Sequence, residues 1–504
     1  MQLKVLTEMK KKVKDKIIND SIWGPIKLHS ICIKIIDTPE FQRLRYIKQL
    51  GGCSFVYPGA CHTRFEHSIG TSYLSGKLVR MLRENLNTEY DIDITDRDIL
   101  CVEIAGLCHD LGHGIFSHVF EKDFIPRISK RIKEYNQKER EQKHDTKEVE
   151  DDKQRKWKHE HASVQMLDRI FDNFDGDYLK KLKDNFNLDL GEGSEERQFI
   201  KSLIIGKGDG LYSGREDKKH FLYEIVANDE NSIDVDKWDY FSRDCHMLGL
   251  KHNFQTMRSI MLARVIKHGE EFHVSFPKTE YMNIFDMYHA RYTLHRRAYQ
   301  HPVTKAVEIM VADALCLANE KLVYSGKNGT TVKLSETIND MEAYSLVTDD
   351  IIHQIRLENN NGDDKKDINK AKKIIDRIFR RDLYKCVAER KISIKEKRSQ
   401  IKNEDETFIQ DLLRRDEIYL KMVSFDFGSE ARNPMKNVYF YKDDKPAIMR
   451  DDEIPAILPN VFQQKYLRLY WKSSLANNTM DVDGAIERFN ALKEIEFNGE
   501  IVAF

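Results

Sequence analysis

Apolar residues recur at helical spacing along most of the chain, and this pattern predicts a mainly α-helical protein. In the segment 95–108, Thr95 or Asp96 caps the first turn, and the apolar residues that follow share one face of a helix. His109 comes four residues after Ala105, which is one of those apolar residues. The pattern therefore brings an imidazole to the buried side of a helix, close to the helix end.

The same spacing predicts further helices on either side of this one. A helix runs from Pro39, where proline suits the first helical position, to Leu50, with Arg43 on its polar face. A long helix begins at Tyr288; its first half is rich in Arg, His and Tyr, and its second half is apolar. Pro302 allows a kink between the two halves.

The C-terminal part of the chain has a different pattern. Short strand-like runs, MVSFDFG and VYFYK, precede a predicted helix around 483–492, which is typical of a small α+β lobe. Glycines in the segment 326–329 predict a hairpin between two short strands. Residues near 129–158 are almost wholly charged and of low complexity, which indicates an exposed insertion.

Composition narrows the class of protein. The chain has 504 residues, a hydrophobic fraction of 40%, and a net charge of −1 from 82 basic and 83 acidic residues. This balance gives no argument for a nucleic acid or a membrane as partner, although the basic run 10–16 leaves weak binding to single-stranded nucleic acid open. The 8 cysteines are scattered, no apolar run spans a membrane, and the N-terminus has no secretory signal. We therefore expect an intracellular protein of the nucleus or cytoplasm.

The stretch IAGLCHDLGHGIFSH holds the densest chemistry of the chain. It contains the adjacent pair His109 and Asp110 and two further histidines, His113 and His118. Imidazole nitrogen beside carboxylate oxygen forms a mixed ligand set suited to Fe, Mn, Zn or Mg. A histidine on an apolar helix face is, however, more often a hydrogen-bonded core residue. The metal hypothesis therefore depends on matching ligands elsewhere in the chain.

Two other segments supply such residues. His67 is predicted to point inward from a helix upstream of the pair, which spans the stretch PGACHTRFEHSIGTSYLSGKLVRML. Asp236, Tyr240 and Asp244 follow an i, i+4, i+8 spacing, which lines one stripe of a helix with carboxylate, phenol and carboxylate. Considered alone, these acidic residues also suit surface salt bridges, and that alternative stays open at this point.

Several stretches carry a resemblance to a known family. They are DTPEFQRLRYIKQLGG, RFEHSIG, IAGLCHDLGHGIFSH, FLYEIVAN, IDVDKWDYFSRDCH and LHRRAYQH, in that order. With them the chain resembles the HD-domain metal-dependent phosphohydrolases, and within these the SAM- and HD-domain-containing deoxynucleoside triphosphate triphosphohydrolases. The resemblance runs through nearly the whole chain and implies an HD-domain helical bundle with a small α+β C-terminal lobe.

The resemblance also implies a division of the chain. Residues 1–395 form the HD catalytic domain, with a nucleotide-regulatory N-terminal segment and the charged insertion near 129–158, and residues 396–504 form the C-terminal lobe. Because the chain starts directly where the HD domain begins, we expect the SAM domain to be lacking.

The metal site of the family corresponds to two histidines and two aspartates of this sequence, and the implied ion is a single Fe, Zn or Mn. These residues are His67, His109, Asp110 and Asp236. The implied reaction is attack of metal-activated water on the α-phosphorus of a dNTP, which releases deoxynucleoside and intact triphosphate. Mg²⁺ is expected on the nucleotide phosphates.

Catalytic and substrate-binding residues follow from the same resemblance. The leaving 5′-oxygen needs a proton, and His118 is the candidate general acid. Other residues shape the same pocket: His113, His159 and Glu160. Phosphate binding is implied for Arg64, Lys237, Tyr240, Arg291 and His295. Asp244 and Gln49 would bind the 3′-hydroxyl, while Tyr299 and the nearby Leu50 would leave no room for a 2′-hydroxyl and so select deoxyribose.

Regulation by nucleotides is a further implication, with activators bound between subunits of a homo-oligomer, from dimer to tetramer. The site for GTP or dGTP maps onto Lys16, Ile17, Asp37, Gln42 and Arg45, with Arg381 and Lys385 from a neighbouring subunit. The adjoining site for a dNTP maps onto Asn19, Val56, Arg258 and Asn283. An aspartate and an arginine on one edge of a guanine satisfy its donors and acceptors.

This sequence departs from the family pattern at a few positions. Gln255 stands where the family has an acid, and Pro302 and His273 stand where it has basic residues. We therefore expect activation that is weaker, differently selective or unnecessary. Glu121 replaces an aspartate near the catalytic histidine, which is a milder change.

Two other functions remain as alternatives. One is another HD-domain nucleotide phosphohydrolase or phosphodiesterase, since the HD motif alone does not separate these reactions. The other is a nucleic-acid-binding scaffold with a vestigial site. The stretches DVDKWDYFSRD and LHRRAYQH favour a triphosphate tail and a deoxyribose over the first alternative, and the presence of every ligand position argues against the second.

Overall fold

Helices form most of the fold, as the apolar spacing predicted. The structure is a computed structural model that describes residues 15–132, 157–206, 213–358, 366–395, 404–455, 458–473, 479–497 and 500–503. Most of the basic run 10–16 and of the charged insertion near 129–158 lies outside the described residues. The α-helices are α1 Ser30–Ile36, α2 Pro39–Gln42, α3 Arg64–Glu84, α4 Asp96–Cys108, α5 His159–Asp172, α6 Gly176–Phe186, α7 Glu195–Ile205, α8 Val235–Leu248, α9 Thr256–Leu262, α10 Tyr281–Leu294, α11 Pro302–Ala318, α12 Met341–Tyr344, α13 Ile351–Leu357, α14 Lys366–Phe379, α15 Glu404–Arg414 and α16 Thr479–Ala491.

The strands form small sheets and hairpins. They are β1 Lys16–Asp20, β2 Gly24–Leu28, β3 Arg264–His268, β4 Glu271–Pro277, β5 Val323–Ser325, β6 Thr331–Lys333, β7 Lys385–Lys395, β8 Ile418–Asp426, β9 Phe440–Lys442, β10 Lys445–Ala447, β11 Gln463–Trp471, β12 Glu494–Phe497 and β13 Glu500–Ala503. β1 pairs with β2, and β5 pairs with β6 in the hairpin that the glycines predicted. The larger sheets have the orders β10-β9-β4-β3 and β12-β13-β7-β11-β8.

Helix α3 packs against both α4 and α8, and these helices carry the residues of greatest interest. Leu74 of α3, Ile104 of α4 and Phe241 of α8 are buried in one core. Because the apolar face of α4 is buried, the end of that helix has a fixed position, and His109 follows directly from it.

The helix predicted from Pro39 to Leu50 is wrong in its length, since α2 stops after one turn. Arg43, predicted to face solvent, is buried, and its guanidinium donates to two main-chain carbonyls of distant segments at 2.9 and 3.2 Å. The Ile47 carbonyl accepts the main-chain N–H of Arg64 at 3.0 Å. Tertiary hydrogen bonds therefore override the local helical preference here.

The long helix predicted from Tyr288 is broken rather than kinked. α10 ends at Leu294, a π-helical turn spans His295–Tyr299, and α11 begins at Pro302. Proline suits that position because the first N–H of a helix has no partner within the helix. The π-helical turn contributes two residues to the cavity described below.

The C-terminal lobe is built on the five-stranded sheet, with α15 and α16 packed together against it. It has an apolar core of its own, which includes Leu420, Leu467 and Trp471. Strand β7 of this sheet precedes residue 396, and β9 leaves the lobe to pair in parallel with β4. The division at residue 396 therefore stays a prediction.

Two strands of the lobe also form side-chain contacts with the helical part of the chain. Lys421 on β8 forms an ion pair with Asp123, which follows the cavity-lining residue Lys122. Arg468 on β11 donates a hydrogen bond to the main-chain carbonyl of Gln300, another cavity-lining residue. The sheet thus supports two separate walls of the cavity.

Among the described residues, no helix has the length and apolar character needed to cross a bilayer. Each of the 8 cysteines is a free thiol, as their scattered spacing predicted.

Candidate metal centre and adjoining cavity

Helix α4 delivers His109 and Asp110 from its C-terminal end. At the N-terminus, the Thr95 hydroxyl accepts the Asp98 N–H at 3.1 Å, while the Asp98 carboxylate accepts the Thr95 N–H at 3.0 Å. At the other end, Nδ1–H of His109 donates to the Gly106 carbonyl at 2.9 Å. This bond leaves the lone pair on Nε2, where a metal ion would be bound.

His67 on α3 meets two carboxylates of α8. Its Nδ1–H donates to Asp239 at 2.8 Å, and its Nε2 lies 3.0 Å from Oδ1 of Asp236. A carboxylate that fixes the tautomer is a frequent partner of a metal-binding imidazole. Sequence reasoning missed Asp239, although its position about one helical turn after Asp236 was a usable signal.

Three of the four predicted ligands, His67, His109 and Asp236, bring their ligand atoms together around one point. Oδ1 of Asp236 lies 3.0 Å from Nε2 of His67 and 3.3 Å from Nε2 of His109. Asp110 lies beside this group, with one oxygen 3.6 Å from Nε2 of His67 and the other 3.5 Å from Nε2 of His109, and it forms a second candidate group with His113 and His159. Ligand atoms that share a tetrahedral ion at about 2.1 Å lie about 3.4 Å from one another. The spacing and the mixed donor set therefore fit a metal ion.

The charges within this group are closely coupled. Burial alone would raise the pKa of Asp236, but hydrogen bonds from His109 and His67 outweigh burial and hold that pKa far below its ordinary value. Burial alone would lower the pKa of His67, but its bonds to Asp236 and Asp239 raise that pKa to about 10. The carboxylates therefore attract positive charge to the point that the ligands share.

Arg64 stands against Asp110. Its guanidinium forms an ion pair with that carboxylate, and its Nε donates to the Ser117 hydroxyl at 2.9 Å. Burial opposes ionisation of Asp110, but the charge of Arg64, together with His109 and His113, lowers the pKa of Asp110 well below its ordinary value. Arg64 thus orients a predicted metal ligand, in addition to lining the cavity where it was predicted to bind phosphate.

Histidines form one wall of the cavity. His113 stacks on His159 with ring centroids 3.7 Å apart, and His118 stands edge-on to His113 at 5.5 Å. Nδ1 of His159 lies 2.9 Å from Glu121 and 3.4 Å from Glu160. The structure therefore brings the predicted catalytic residues together, while their roles stay predictions.

Lys122 reaches the cavity beside this wall and was not predicted. Its positive charge, followed by burial, lowers the pKa of His118 well below the ordinary value. Burial and the charges of Lys305 and Arg291 in turn lower the pKa of Lys122 itself. Several cations thus share a small space, which favours the binding of a polyanion.

The cavity beside the ligand cluster has a volume of about 590 Å³. Every residue predicted to bind substrate lines it: Gln49, Leu50, Arg64, Lys237, Tyr240, Asp244, Arg291, His295 and Tyr299. His109, Asp110 and Asp236 line it as well. Such a volume suits a ligand of the size of a nucleotide.

Another part of the lining is organised around Asp244. The Tyr299 hydroxyl donates to one oxygen of this buried carboxylate, and Nε2 of His62 lies 2.6 Å from the other. Sequence reasoning missed His62, because the stretch PGACHTRFEHSIG was predicted to be helical from its start, whereas α3 begins at Arg64. Its partner lies 182 residues away, so no local signal could have found the pair.

Some of the predicted activator-binding residues form one surface group near β1 and α2. Lys16 pairs with Asp37 at 3.9 Å, and Nε of Arg45 donates to the Gln42 side chain at 2.7 Å. Ile17 on β1 is 71% exposed. These side chains are open to a ligand from solvent.

The other predicted activator-binding residues lie in separate places. Arg258 and Asn283 both donate to Glu280, at 2.6 and 2.8 Å. Arg381 donates to the main-chain carbonyl of Phe55 at 2.6 Å. The remaining residues are Asn19 on β1, Val56 next to that carbonyl, and Lys385 at the start of β7. Contacts within the described part of the chain thus arrange the predicted residues in separate surface groups.

Two of the departures from the family pattern have structural partners. The main-chain N–H of Gln255 donates to the Asn283 side chain at 2.8 Å. Nδ1 of His273 lies 2.7 Å from Glu224, and the imidazole stacks on Tyr439 with ring centroids 3.8 Å apart. His273 is therefore engaged within the fold.

Comparison with known proteins agrees with this geometry. The HD domain family matches residues 64–244, a range that includes the four predicted metal ligands. The chain is 40% identical to deoxynucleoside triphosphate triphosphohydrolase SAMHD1 of Gallus gallus, over 91% of this chain and 72% of the relative. Identity to the protein of the same name from Homo sapiens is 39%, over 91% of this chain and 70% of the relative. The SAMHD1 homolog of Dictyostelium discoideum is 31% identical, over 93% of this chain and 79% of the relative.

Proposed function

This chain belongs to the SAMHD1 family of HD-domain proteins, and we propose from that membership that it hydrolyses deoxynucleoside triphosphates to deoxynucleoside and inorganic triphosphate. The observation that carries the proposal is the shared cavity. One cavity is lined by residues that could bind a metal ion and by several cationic side chains. The hydrogen-bonded pair of Asp244 and Tyr299 lines the same cavity. An activated water, a triphosphate and a sugar require these surroundings.

The metal in this proposal is one Fe, Zn or Mn ion, held by His67, His109 and Asp236, with Asp110 as the fourth proposed ligand. When bound, it supplies Lewis acidity and a water of lowered pKa. Asp239 keeps His67 in one orientation, and Arg64 does the same for Asp110. Mg²⁺ accompanies the nucleotide phosphates in this proposal.

His118 is the proposed proton donor to the leaving 5′-oxygen. The charge of Lys122 and burial lower the pKa of His118, which favours the neutral imidazole before substrate binds. A triphosphate brings negative charge beside both side chains, which raises that pKa again. Substrate binding thereby gives His118 the proton that it transfers.

Arg291 and Lys237 are the proposed clamps for the phosphates. Nε of Arg291 is buried and has no hydrogen-bond partner within the described residues. A phosphate oxygen would supply that partner in a charge-assisted bond. Lys237 lies 2.6 Å from Asp234 and lines the same cavity. Tyr240 and His295 complete this part of the lining.

Asp244 and Gln49 are the proposed partners of the 3′-hydroxyl. Oε1 of Gln49 is buried and unpaired in the described part of the chain, so it has capacity for a bond from a ligand. The ring of Tyr299, with Leu50 nearby, is the proposed barrier to a 2′-hydroxyl. The sugar is therefore selected at both positions.

Activation by GTP or dGTP and by a dNTP belongs to the proposal, as does assembly from dimer to tetramer. The separate surface groups suit sites that a second copy of the chain completes. At the dNTP site, His273 is engaged with Glu224, and Gln255 offers no carboxylate. We therefore expect the second activator to bind more weakly or with other preferences than in the family.

Product analysis tests the proposed function. Purified protein is incubated with each dNTP and each matching NTP, with Mg²⁺ or Mn²⁺ and with or without GTP, and the products are separated by anion exchange. Intact triphosphate and deoxynucleoside, formed from dNTPs and not from NTPs, are the expected products. A requirement for GTP would support the first activator site.

Other products would point to other functions. Orthophosphate or pyrophosphate would indicate a different HD-domain phosphohydrolase or phosphodiesterase. Oligonucleotide binding without turnover in the parent protein would favour a nucleic-acid-binding scaffold. The matched control is Asp110→Asn, which removes a predicted metal ligand and should abolish turnover.

A further inference from the structure

His62 contacts both residues to which the proposed function assigns the 3′-hydroxyl. Nε2 of His62 lies 2.6 Å from Oδ1 of Asp244. The main-chain carbonyl of His62 accepts the N–H of Gln49 at 3.0 Å. One residue thus holds the side chain of the first partner and the main chain of the second.

The main chain around His62 is fixed by further hydrogen bonds. The N–H of Arg64 donates to the Ile47 carbonyl at 3.0 Å, and Lys48 forms an antiparallel bridge with Thr63. The segments 47–49 and 62–64 therefore lie side by side and move together. A displacement of His62 would be passed on to Gln49.

Asp244 depends on His62 for its orientation. The carboxylate is 1% exposed, and its two oxygens accept from His62 and from the Tyr299 hydroxyl. A buried carboxylate needs hydrogen bonds, and the loss of one donor leaves an oxygen unpaired. The imidazole of His62 is itself 3% exposed and is not part of the cavity lining.

The other ring nitrogen of His62 identifies the tautomer. Nδ1 is buried and has no hydrogen-bond partner within the described residues. A proton on Nδ1 would therefore be unpaired, whereas a proton on Nε2 is shared with Asp244. The proton of His62 therefore lies on Nε2 and is donated to Asp244, because Nδ1 has no hydrogen-bond acceptor within the described residues.

We propose that His62 is the positioning residue for recognition of the 3′-hydroxyl. It orients Asp244 through its side chain and Gln49 through its main chain, and it acts on the nucleotide only through them. This inference rests on the proposed function and deepens it. His62 would thus set the preference for nucleotides that carry a 3′-hydroxyl over nucleotides that lack one.

The test compares a dNTP with the 2′,3′-dideoxynucleoside triphosphate of the same base, at saturating GTP. In His62→Ala, kcat/KM for the dNTP should fall by about 10- to 100-fold, while kcat/KM for the dideoxy compound should stay within about twofold. The ratio of kcat/KM for the dNTP to kcat/KM for the dideoxy compound would therefore fall. If the dideoxy compound turns over too slowly, its Ki against the dNTP gives the same comparison.

Two conservative variants separate positioning from general structural damage. His62→Gln places an amide N–H near the position of Nε2 and should keep most of the preference. His62→Asn places its amide near Nδ1 and should lose the preference. This comparison remains informative if His62→Ala does not fold. His252→Ala is the matched control, because it removes a half-buried imidazole outside the cavity lining and should leave the preference unchanged.

Two results would overturn the inference: an equal loss on both nucleotides in His62→Ala, or equal preferences in the Gln and Asn variants. Failure of the parent protein to hydrolyse any dNTP would refute the proposed function itself. The parent measurement therefore distinguishes the two kinds of failure.

Discussion

Asp239 accepts the Nδ1–H of His67 at 2.8 Å, on the side of the imidazole opposite to Asp236. The other oxygen of Asp239 accepts Nε1–H of Trp23 at 2.6 Å and a guanidinium N–H of Arg243 at 2.9 Å. Because the carboxylate is held from several directions, the imidazole has one tautomer and one orientation. Nε2 of His67 is then presented to the predicted metal ion.

The substitution Asp239→Asn should lower the affinity for Mn²⁺ or Zn²⁺ by about 10- to 100-fold. An amide oxygen is a weaker acceptor than a carboxylate, and it no longer supports the imidazole with negative charge. Calorimetric titration of the metal-free protein measures the affinity, and metal content after dialysis checks it. Asp96→Asn, at a side chain that is 95% exposed, is the control and should bind metal like the parent. Equal affinities in all proteins would contradict an orienting role for Asp239.

The substitution Lys122→Met should move the basic limb of the pH profile of kcat/KM to higher pH. His118 donates a proton only while it is protonated, and it loses that proton as the pH rises through its pKa. The charge of Lys122 lowers this pKa, so removal of the charge raises it. Initial rates at low dNTP concentration across the pH range measure the shift. Lys180→Met, at an exposed lysine of α6, is the control and should leave the pH profile of kcat/KM unchanged. A shift of the basic limb to lower pH in Lys122→Met would contradict the effect assigned to the charge of Lys122.

The substitution Tyr299→Ala should raise the ratio of kcat/KM for ATP to kcat/KM for dATP by about tenfold or more. Tyr299 and Leu50 both line the cavity, and loss of the ring would enlarge it where the proposed function places the 2′ position. Tyr299→Phe is the matched control, because it keeps the ring and removes only the hydroxyl that donates to Asp244. The Phe variant should still exclude ATP while it hydrolyses dATP less efficiently. Unchanged discrimination in the Ala variant would rule out a steric gate.

The substitution Gly112→Ala should lower the free energy of unfolding by about 1–3 kcal/mol. An added Cβ would lie 2.2 Å from the main-chain nitrogen of Ser163 and 2.3 Å from the carbonyl oxygen of His159. Main-chain atoms cannot rotate away, so α5 would have to shift. Thermal unfolding followed by circular dichroism measures the loss. Gly176→Ala is the control: an added Cβ there meets nothing within 4 Å, so this variant should not destabilise the protein. Equal midpoints of thermal unfolding for the two variants would contradict the close approach of α5 to Gly112.

Residues that helices carry into the core could be predicted from the sequence. The inward direction of His67 and His109 follows from the apolar residues that share their helix faces, whereas for Asp236 the spacing left a surface salt bridge open. The stripe from Asp236 to Asp244 also lines the cavity, as the i, i+4, i+8 spacing indicated.

Contacts between distant segments were beyond such reasoning. Arg43 lies on what would be a polar helix face, yet its guanidinium donates to the carbonyls of Val347 and Leu111. His62 binds Asp244 from the segment just before α3, which was predicted to be helical and is not. Such residues are positioned by tertiary hydrogen bonds, and local sequence contains no trace of the partner.

The ties from the lobe to the cavity walls have a consequence for biosynthesis. Lys421 binds Asp123 and Arg468 binds Gln300, so segments made early depend on strands made late. The second of these ties joins residues that are 168 positions apart in the chain. A nascent chain therefore carries the segments that line the cavity before the strands that tie them in place have been made.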